Sequence, residues 1–123
     1  MSITMAKRPA FRTKFRLWIY AGDEKLLGPG RVEIMERIHR TGSIQKAALE
    51  MGMSYRQAWK MVTEINERAG EPYVEKHLGG KGGGGAMVTE AGLNAITAYK
   101  AMEKKLQEQI AAEFNKSAFA KPA

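Results

Sequence analysis

The sequence predicts an α+β fold, mostly α with small β, and three stretches predict it. Residues 41–66, TGSIQKAALEMGMSYRQAWKMVTEIN, hold two short helical patterns with a glycine between them. Residues 73–89 hold two strand-like runs around a segment in which six of seven residues are glycine. Residues 90–115 carry apolar side chains every three or four positions without a break, the repeat of one long amphipathic helix.

The chain has 123 residues, enough for one domain with one modest core. Its formal net charge is +7 and its isoelectric point about 9.8, a balance that favours a polyanionic partner, nucleic acid before membrane. Much of the excess sits in residues 1–20, where Lys7, Arg8, Arg12, Lys14 and Arg16 occur without an acid. There is no cysteine, which excludes disulfides, thiolate chemistry and cysteine zinc sites and fits a reducing, cytoplasmic setting. No apolar run approaches the roughly 20 residues of a membrane span, and no signal-peptide core is visible. No cofactor and no metal is expected.

Residues 1–13 lack periodicity and read as a flexible basic arm, either laid along phosphates or simply solvated. Residues 14–20, KFRLWIY, alternate Phe15, Leu17 and Ile19 against Arg16, Trp18 and Tyr20, a strand pattern. Gly22-Asp23-Glu24 is a turn and Lys25-Leu26-Leu27 a short return. Such a ribbon is marginal alone, so it should pack on another element or a second subunit. Gly28-Pro29-Gly30 opens a helix, since proline suits a first turn. That helix runs to about Arg40, with Val32, Ile34, Met35 and Ile38 inward, and Gly42 ends it.

In the central motif Ser43 caps one helix and Ser54 the next, each hydroxyl accepting from a free N–H of the opening turn. Gln57, three residues after Ser54, completes the spacing of a capping box. Gly52 supplies the left-handed backbone of a sharp turn. Small Ala48 lets the helices cross closely, and Ala47, Met51, Met53, Ala58 and Met61 supply apolar contacts. Ala58, Met61, Val62 and Ile65 form an inward stripe on the second helix. The opposite side carries Arg56, Lys60 and Thr63, flanked by Trp59 and Gln57, with Tyr55 in the first turn. Arginine or lysine can donate to guanine, glutamine can pair with adenine, and threonine can contact a base or methyl group, so a helix over 54–69 with this face suits a major groove. The competing reading is a solvated face with two ordinary charges.

After a glycine stop at Gly70, residues 73–78 read as a strand, 79–85 (GGKGGGG) as a loop and 86–89 as the returning strand. Strand, glycine loop and strand after such a helix make the layout of a wing. Lys81 with Gly82 and Gly83 can approach a DNA backbone, because glycine leaves amide groups uncovered. Ordering so many glycines costs conformational entropy, so mobility is expected without DNA. Gly80-x-Gly82-x-x-Gly85 matches a dinucleotide fingerprint in letters alone; no βαβ unit surrounds it. A phosphate-binding P-loop fails too, because Gly82 follows Lys81 where Ser or Thr is needed. A plain loop without contacts is the other alternative.

Thr89 caps the last helix, over 90–115, about 37 Å long at 1.5 Å per residue. Its stripe is Leu93, Ile96, Tyr99, Met102, Leu106, Ile110 and Phe114. Beyond Met102 the stripe outruns the domain, so the expected partner is the same helix of a second subunit in an isologous homodimer. The other reading folds the helix back on the ribbon. Residues 116–123 are a tail, so the domain proper is 14–115.

Together these elements describe a winged helix-turn-helix with an N-terminal ribbon and a C-terminal dimerisation helix. Residues 28–99 resemble the N-terminal DNA-binding domain of the ModE-type molybdenum-responsive regulators, themselves similar to the LysR type. The resemblance is carried by Leu27-Gly28-Pro29-Gly30, Thr41-Gly42-Ser43-Ile44, Met53-Ser54-Tyr55-Arg56-Gln57-Ala58-Trp59, the run from Gly79 to Ala86, and Thr89-Glu90-Ala91-Gly92. It implies a dimeric transcription regulator that places its second motif helix in the major groove of double-stranded DNA and its wing on the backbone. No oxyanion-binding motif is visible, so molybdate sensing is not carried over.

The rival class is a protein-interaction module that uses the long helix to pair with a full-length regulator. An enzyme is the weakest reading. His39 and His77 are the only histidines and have no ligand-like neighbours, and Glu64 and Glu67 form a helical pair of solvated type.

Overall fold

The computed structural model describes residues 9–80 and 83–120. In chain order it contains β1 (Ile19–Ala21), β2 (Glu24–Leu27), α1 (Pro29–Thr41), α2 (Ile44–Glu50), α3 (Tyr55–Ala69), β3 (Val74–Gly80), β4 (Gly83–Val88) and α4 (Glu90–Lys116). The strands form two separate antiparallel pairs, β1 with β2 and β3 with β4. One core joins every element. Its fully buried centre is Ile34, Met35 and Ile38 of α1 with Ile65 of α3. Val74, Ala86 and Val88 of the second hairpin and Ile96 and Tyr99 of α4 close it. No helix among the described residues is long and apolar enough to cross a membrane.

The first strand is shorter than its alternation predicts. Ile19 pairs with Leu27, and residues 14–18 are not in a ladder. The partner strand ends there because only Gly28 separates Leu27 from Pro29, which begins α1. Trp18 instead lies flat on Gly28, where a Cβ would collide with the indole. The segment before it runs antiparallel along α4. The Tyr99 hydroxyl donates to the Leu17 carbonyl at 2.9 Å, residues 13–16 line a cleft with Gln107 and Ile110, and Phe11 meets Phe119 edge to face at 6.0 Å. The described part of the expected arm, from Phe11 on, is therefore packed against α4; residues 1–8 lie outside the described residues.

The three central helices follow their local signals. Ser43 accepts from the Lys46 N–H at 3.0 Å. Ser54 accepts from the Gln57 N–H at 3.1 Å, while the Gln57 side-chain carbonyl accepts from the Ser54 N–H at 3.2 Å, a complete capping box. Gly52 has φ +66°, and the Met53 N–H donates to the Ala48 carbonyl at 3.0 Å across the turn. Ala47, Ala48 and Ala58 are buried where α2 and α3 cross. The ion pair of Arg31 with Glu64, 2.7 Å, ties α1 to α3.

The glycine run is not a seven-residue loop. Gly80 pairs with Gly83, so the ladder reaches well into it, with an irregularity between His77 and Gly80. A ladder is made by backbone groups, so absence of side chains does not stop pairing once Val74↔Val88 and Lys76↔Ala86 have set the register. Lys81 and Gly82 lie outside the described residues.

Helix α4 spans 27 residues, capped by Thr89, whose hydroxyl accepts from Gly92 N–H. Its stripe divides. Ile96 and Tyr99 are buried in the chain's own core and Leu93 packs against it. All three therefore pack within the chain, where the first turns of α4 lie over the second hairpin and α1. Met102 is 43% exposed, and Leu106, Ile110 and Phe114 are half-buried along the N-terminal segment.

Candidate nucleic-acid interface

Helix α3 is held by its inner stripe. Ala58, Val62 and Ile65 are buried and Met61 packs half-buried beside them. The outer face follows from helical geometry: Arg56, Lys60 and Thr63 fall at i, i+4 and i+7. Arg56 and Lys60 are exposed, and Thr63 is half-buried.

The charges on this face differ from the arginines of α1 and of the end of α3. Arg31, Arg37, Arg40 and Arg68 are all engaged by carboxylates, Arg37 and Arg40 sharing Glu50 and Arg68 bridging Glu24 and Glu64. Neither Arg56 nor Lys60 makes an ion pair among the described residues. Arg31 holds the Glu64 carboxyl below the usual glutamate range, with the charges of Arg68 and Lys60 as smaller contributions. An unpaired guanidinium and ammonium one helical turn apart can each donate to a phosphate or a base edge.

The capping residues are partly committed. The Ser43 and Ser54 oxygens accept backbone protons, which leaves each hydroxyl proton free to donate. Gln57 is exposed, but its carbonyl is used in the cap, leaving its amide NH2. Tyr55 and Trp59 are 50% and 39% exposed and stack with centroids 6.5 Å apart and planes 21° apart.

The second hairpin stands beside this face. Asn66, near the end of α3, accepts from the Tyr73 and Val74 N–H groups at 2.8 and 3.1 Å and donates to the Val74 carbonyl at 2.8 Å. On the other side the Ala86 N–H donates to the Gly42 carbonyl at 2.9 Å. Lys76 reaches from β3 over the Trp59 ring and lies 5.9 Å from the Tyr55 centroid. Burial lowers the Lys76 pKa from the ordinary lysine value.

The structure thus brings Ser54, Tyr55, Arg56, Gln57, Trp59, Lys60 and Thr63 onto one helix, with Ser43 at the start of α2 and Gly83 in the hairpin ladder. Lys76 was missed. The available signal was strand periodicity: Lys76 shares a face with Val74, opposite buried Ala86, an inward position that a lysine occupies only with a partner. Among the described residues there is no cluster of histidine, cysteine, aspartate and glutamate able to hold a metal ion.

The arrangement defines an exposed basic helix seated between a second helix and a hairpin. No protein-family model matches the chain. Among known proteins it is 42% identical over 97 residues to the molybdenum-pterin-binding protein MopB of Rhodobacter capsulatus, covering 79% of this chain and 36% of that protein. It is 36% identical over 84 residues to the molybdenum transport protein ModE of Azotobacter vinelandii, covering 68% of this chain and 31% of the relative. To the DNA-binding transcriptional dual regulator ModE of Escherichia coli K12 it is 39% identical over 71 residues, 58% of this chain and 27% of that one. The chain is therefore related to the ModE and Mop proteins, and it spans about a third of the length of the curated relatives it matches.

Proposed function

We propose that this chain is a winged helix-turn-helix module that binds palindromic double-stranded DNA as a homodimer and serves transcription regulation. In this reading α3 enters the major groove and the β3–β4 hairpin is the wing on the neighbouring backbone. The observation that carries it is the pair Arg56 and Lys60, exposed and without ion pairs among the described residues, on the face of α3 opposite its buried stripe. The net charge of +7 and the regulators among its relatives support the same reading. The site residues are those of α3 together with Ser43, Lys81, Gly82 and Gly83.

The test is selection of duplexes from a random pool, followed by titration of variants on the recovered sequence. Arg56→Ala is expected to cost about 1–3 kcal/mol and to relax base preference, whereas Lys81→Ala weakens all sequences alike and lowers the salt dependence. An Arg56→Ala protein with unchanged affinity and preference would count against the groove-facing assignment.

A further inference from the structure

We propose that Tyr55 and Trp59 form an aromatic platform that recognises the 5-methyl groups of thymine in the major groove, with Lys76 as the positioning residue that holds Trp59. The inference rests on the duplex-DNA reading above and adds to it the chemical feature of the bases that is read.

The argument starts from what the polar side chains of α3 cannot do. Arg56 and Lys60 only donate, and their best base partner is the acceptor pair of guanine. Reading adenine in the two-bond manner needs both the carbonyl and the NH2 of an amide. Gln57 has spent its carbonyl on the Ser54 N–H, a bond that also holds the first turn of α3. An adenine–thymine pair still offers the methyl group of thymine, which apolar contact recognises. The largest apolar surface on this face, beside the single methyl of half-buried Thr63, is the stack of Tyr55 and Trp59, four residues apart on the same side of the helix. Both rings remain substantially in water while the rest of the large apolar side chains of α3 are buried or half-buried. Cations flank them on the helix, so the DNA backbone that attracts Arg56 and Lys60 brings base edges to the rings.

Lys76 supports the platform from the hairpin. Its strand register sets it on the inner face of the hairpin, and its ammonium covers one side of the Trp59 indole. A cation over an aromatic face is attracted by the ring quadrupole. The same contact joins the hairpin to the reading helix, so wing and aromatic pair move as one unit.

The experiment uses the selected duplex, with thymines replaced one at a time by deoxyuridine, which removes only the methyl group. For the wild-type chain at least one replacement per half-site should weaken binding about fourfold, the ratio expected for burying one methyl group. Trp59→Ala should bind the thymine and uracil duplexes equally. Lys76→Ala should lose most of the discrimination and Lys76→Arg, which restores a cation over the ring, should keep it; a purely structural lysine would not give that pattern with the helical circular dichroism unchanged. The proposal is overturned if the wild-type chain binds all uracil duplexes as tightly as the parent, a result that needs no variant to fold. It is overturned equally if Trp59→Ala retains discrimination. Failure of the wild-type chain to bind any duplex is a separate outcome and would remove the DNA reading together with this one.

Discussion

Gly92 shows how one hydrogen atom in place of a methyl group settles the base of the second hairpin. It lies in the first turn of α4, where alanine would ordinarily stabilise the helix by about 1 kcal/mol. Here a Cβ would run into the Tyr73 carbonyl oxygen and the Val88 side chain. The carbonyl cannot retreat, because it accepts from the Thr89 N–H at 2.9 Å, and the Thr89 hydroxyl is itself bound to the Pro72 carbonyl at 2.7 Å. Gly92→Ala is therefore expected to destabilise by about 1–3 kcal/mol, the usual range for overpacking, read as a lower denaturant midpoint. Glu64 gives a prediction in pH. Its hydrogen bond from Arg31 lowers the folded carboxyl pKa. The pair thus contributes stability above the ordinary glutamate range and loses it as pH falls through the folded value. Glu64→Gln should flatten the acid limb of the stability profile, measured by denaturant titration at several pH values. At this scale the caps of Ser43, Ser54 and Thr89 were legible in the sequence, because a cap is decided within four residues. The collision at Gly92 and the place of Lys76 were not, since each depends on a neighbour far along the chain.

Among the elements, the second hairpin is the one whose position matters most to the face of α3, and Asn66 fixes it. Three hydrogen bonds from one amide replace the pairing that Tyr73 and Val74 would otherwise lack. Removing them leaves part-buried backbone groups without partners, each costing about 1–3 kcal/mol if water cannot reach it. Asn66→Ala should accordingly speed amide exchange of Tyr73 and Val74 far more than that of Ile34 or Ile38, and Asn66→Asp, which keeps the acceptor, should fall between. The helices were read to within two residues from apolar spacing, caps and glycine stops. Strands β2 and β3 also fall within two residues of the predicted runs, whereas β1 and β4 do not. Alternation in residues 14–20 predicts a ladder, but alternation says only that one side is apolar, and here the segment packs along α4. The glycines carry no side-chain pattern and so predict a loop, although their backbone groups pair as well as any others.

For the whole molecule the open surface is the second half of α4. The sequence predicts a stripe that outruns the domain beyond Met102, and Met102 itself is 43% exposed although it continues the line of Ile96 and Tyr99. The N-terminal segment, whose path along α4 no local pattern announces, covers one flank of Leu106, Ile110 and Phe114 and leaves them half-buried. A dimer that pairs these helices antiparallel would enlarge that contact and set the two copies of α3 about a twofold axis, with half-sites spaced by about 34 Å or a multiple of it. Met102→Glu tests the geometry cleanly. An exposed side chain changes the stability of a lone chain by no more than about 0.5 kcal/mol, so a shift in assembly reads the interface itself. In light scattering the wild-type chain should be dimeric and Met102→Glu should dissociate at protein concentrations at least about tenfold higher, a change of about 1.4 kcal/mol. On DNA the variant should keep its preference within one half-site and lose the gain from the second, because each α3 is unchanged while the tether between them is weakened. A wild-type chain that stays monomeric and pairs only when mixed with a full-length regulator would instead make α4 the surface of an interaction module. A dimer indifferent to Met102→Glu would move the interface elsewhere on the chain.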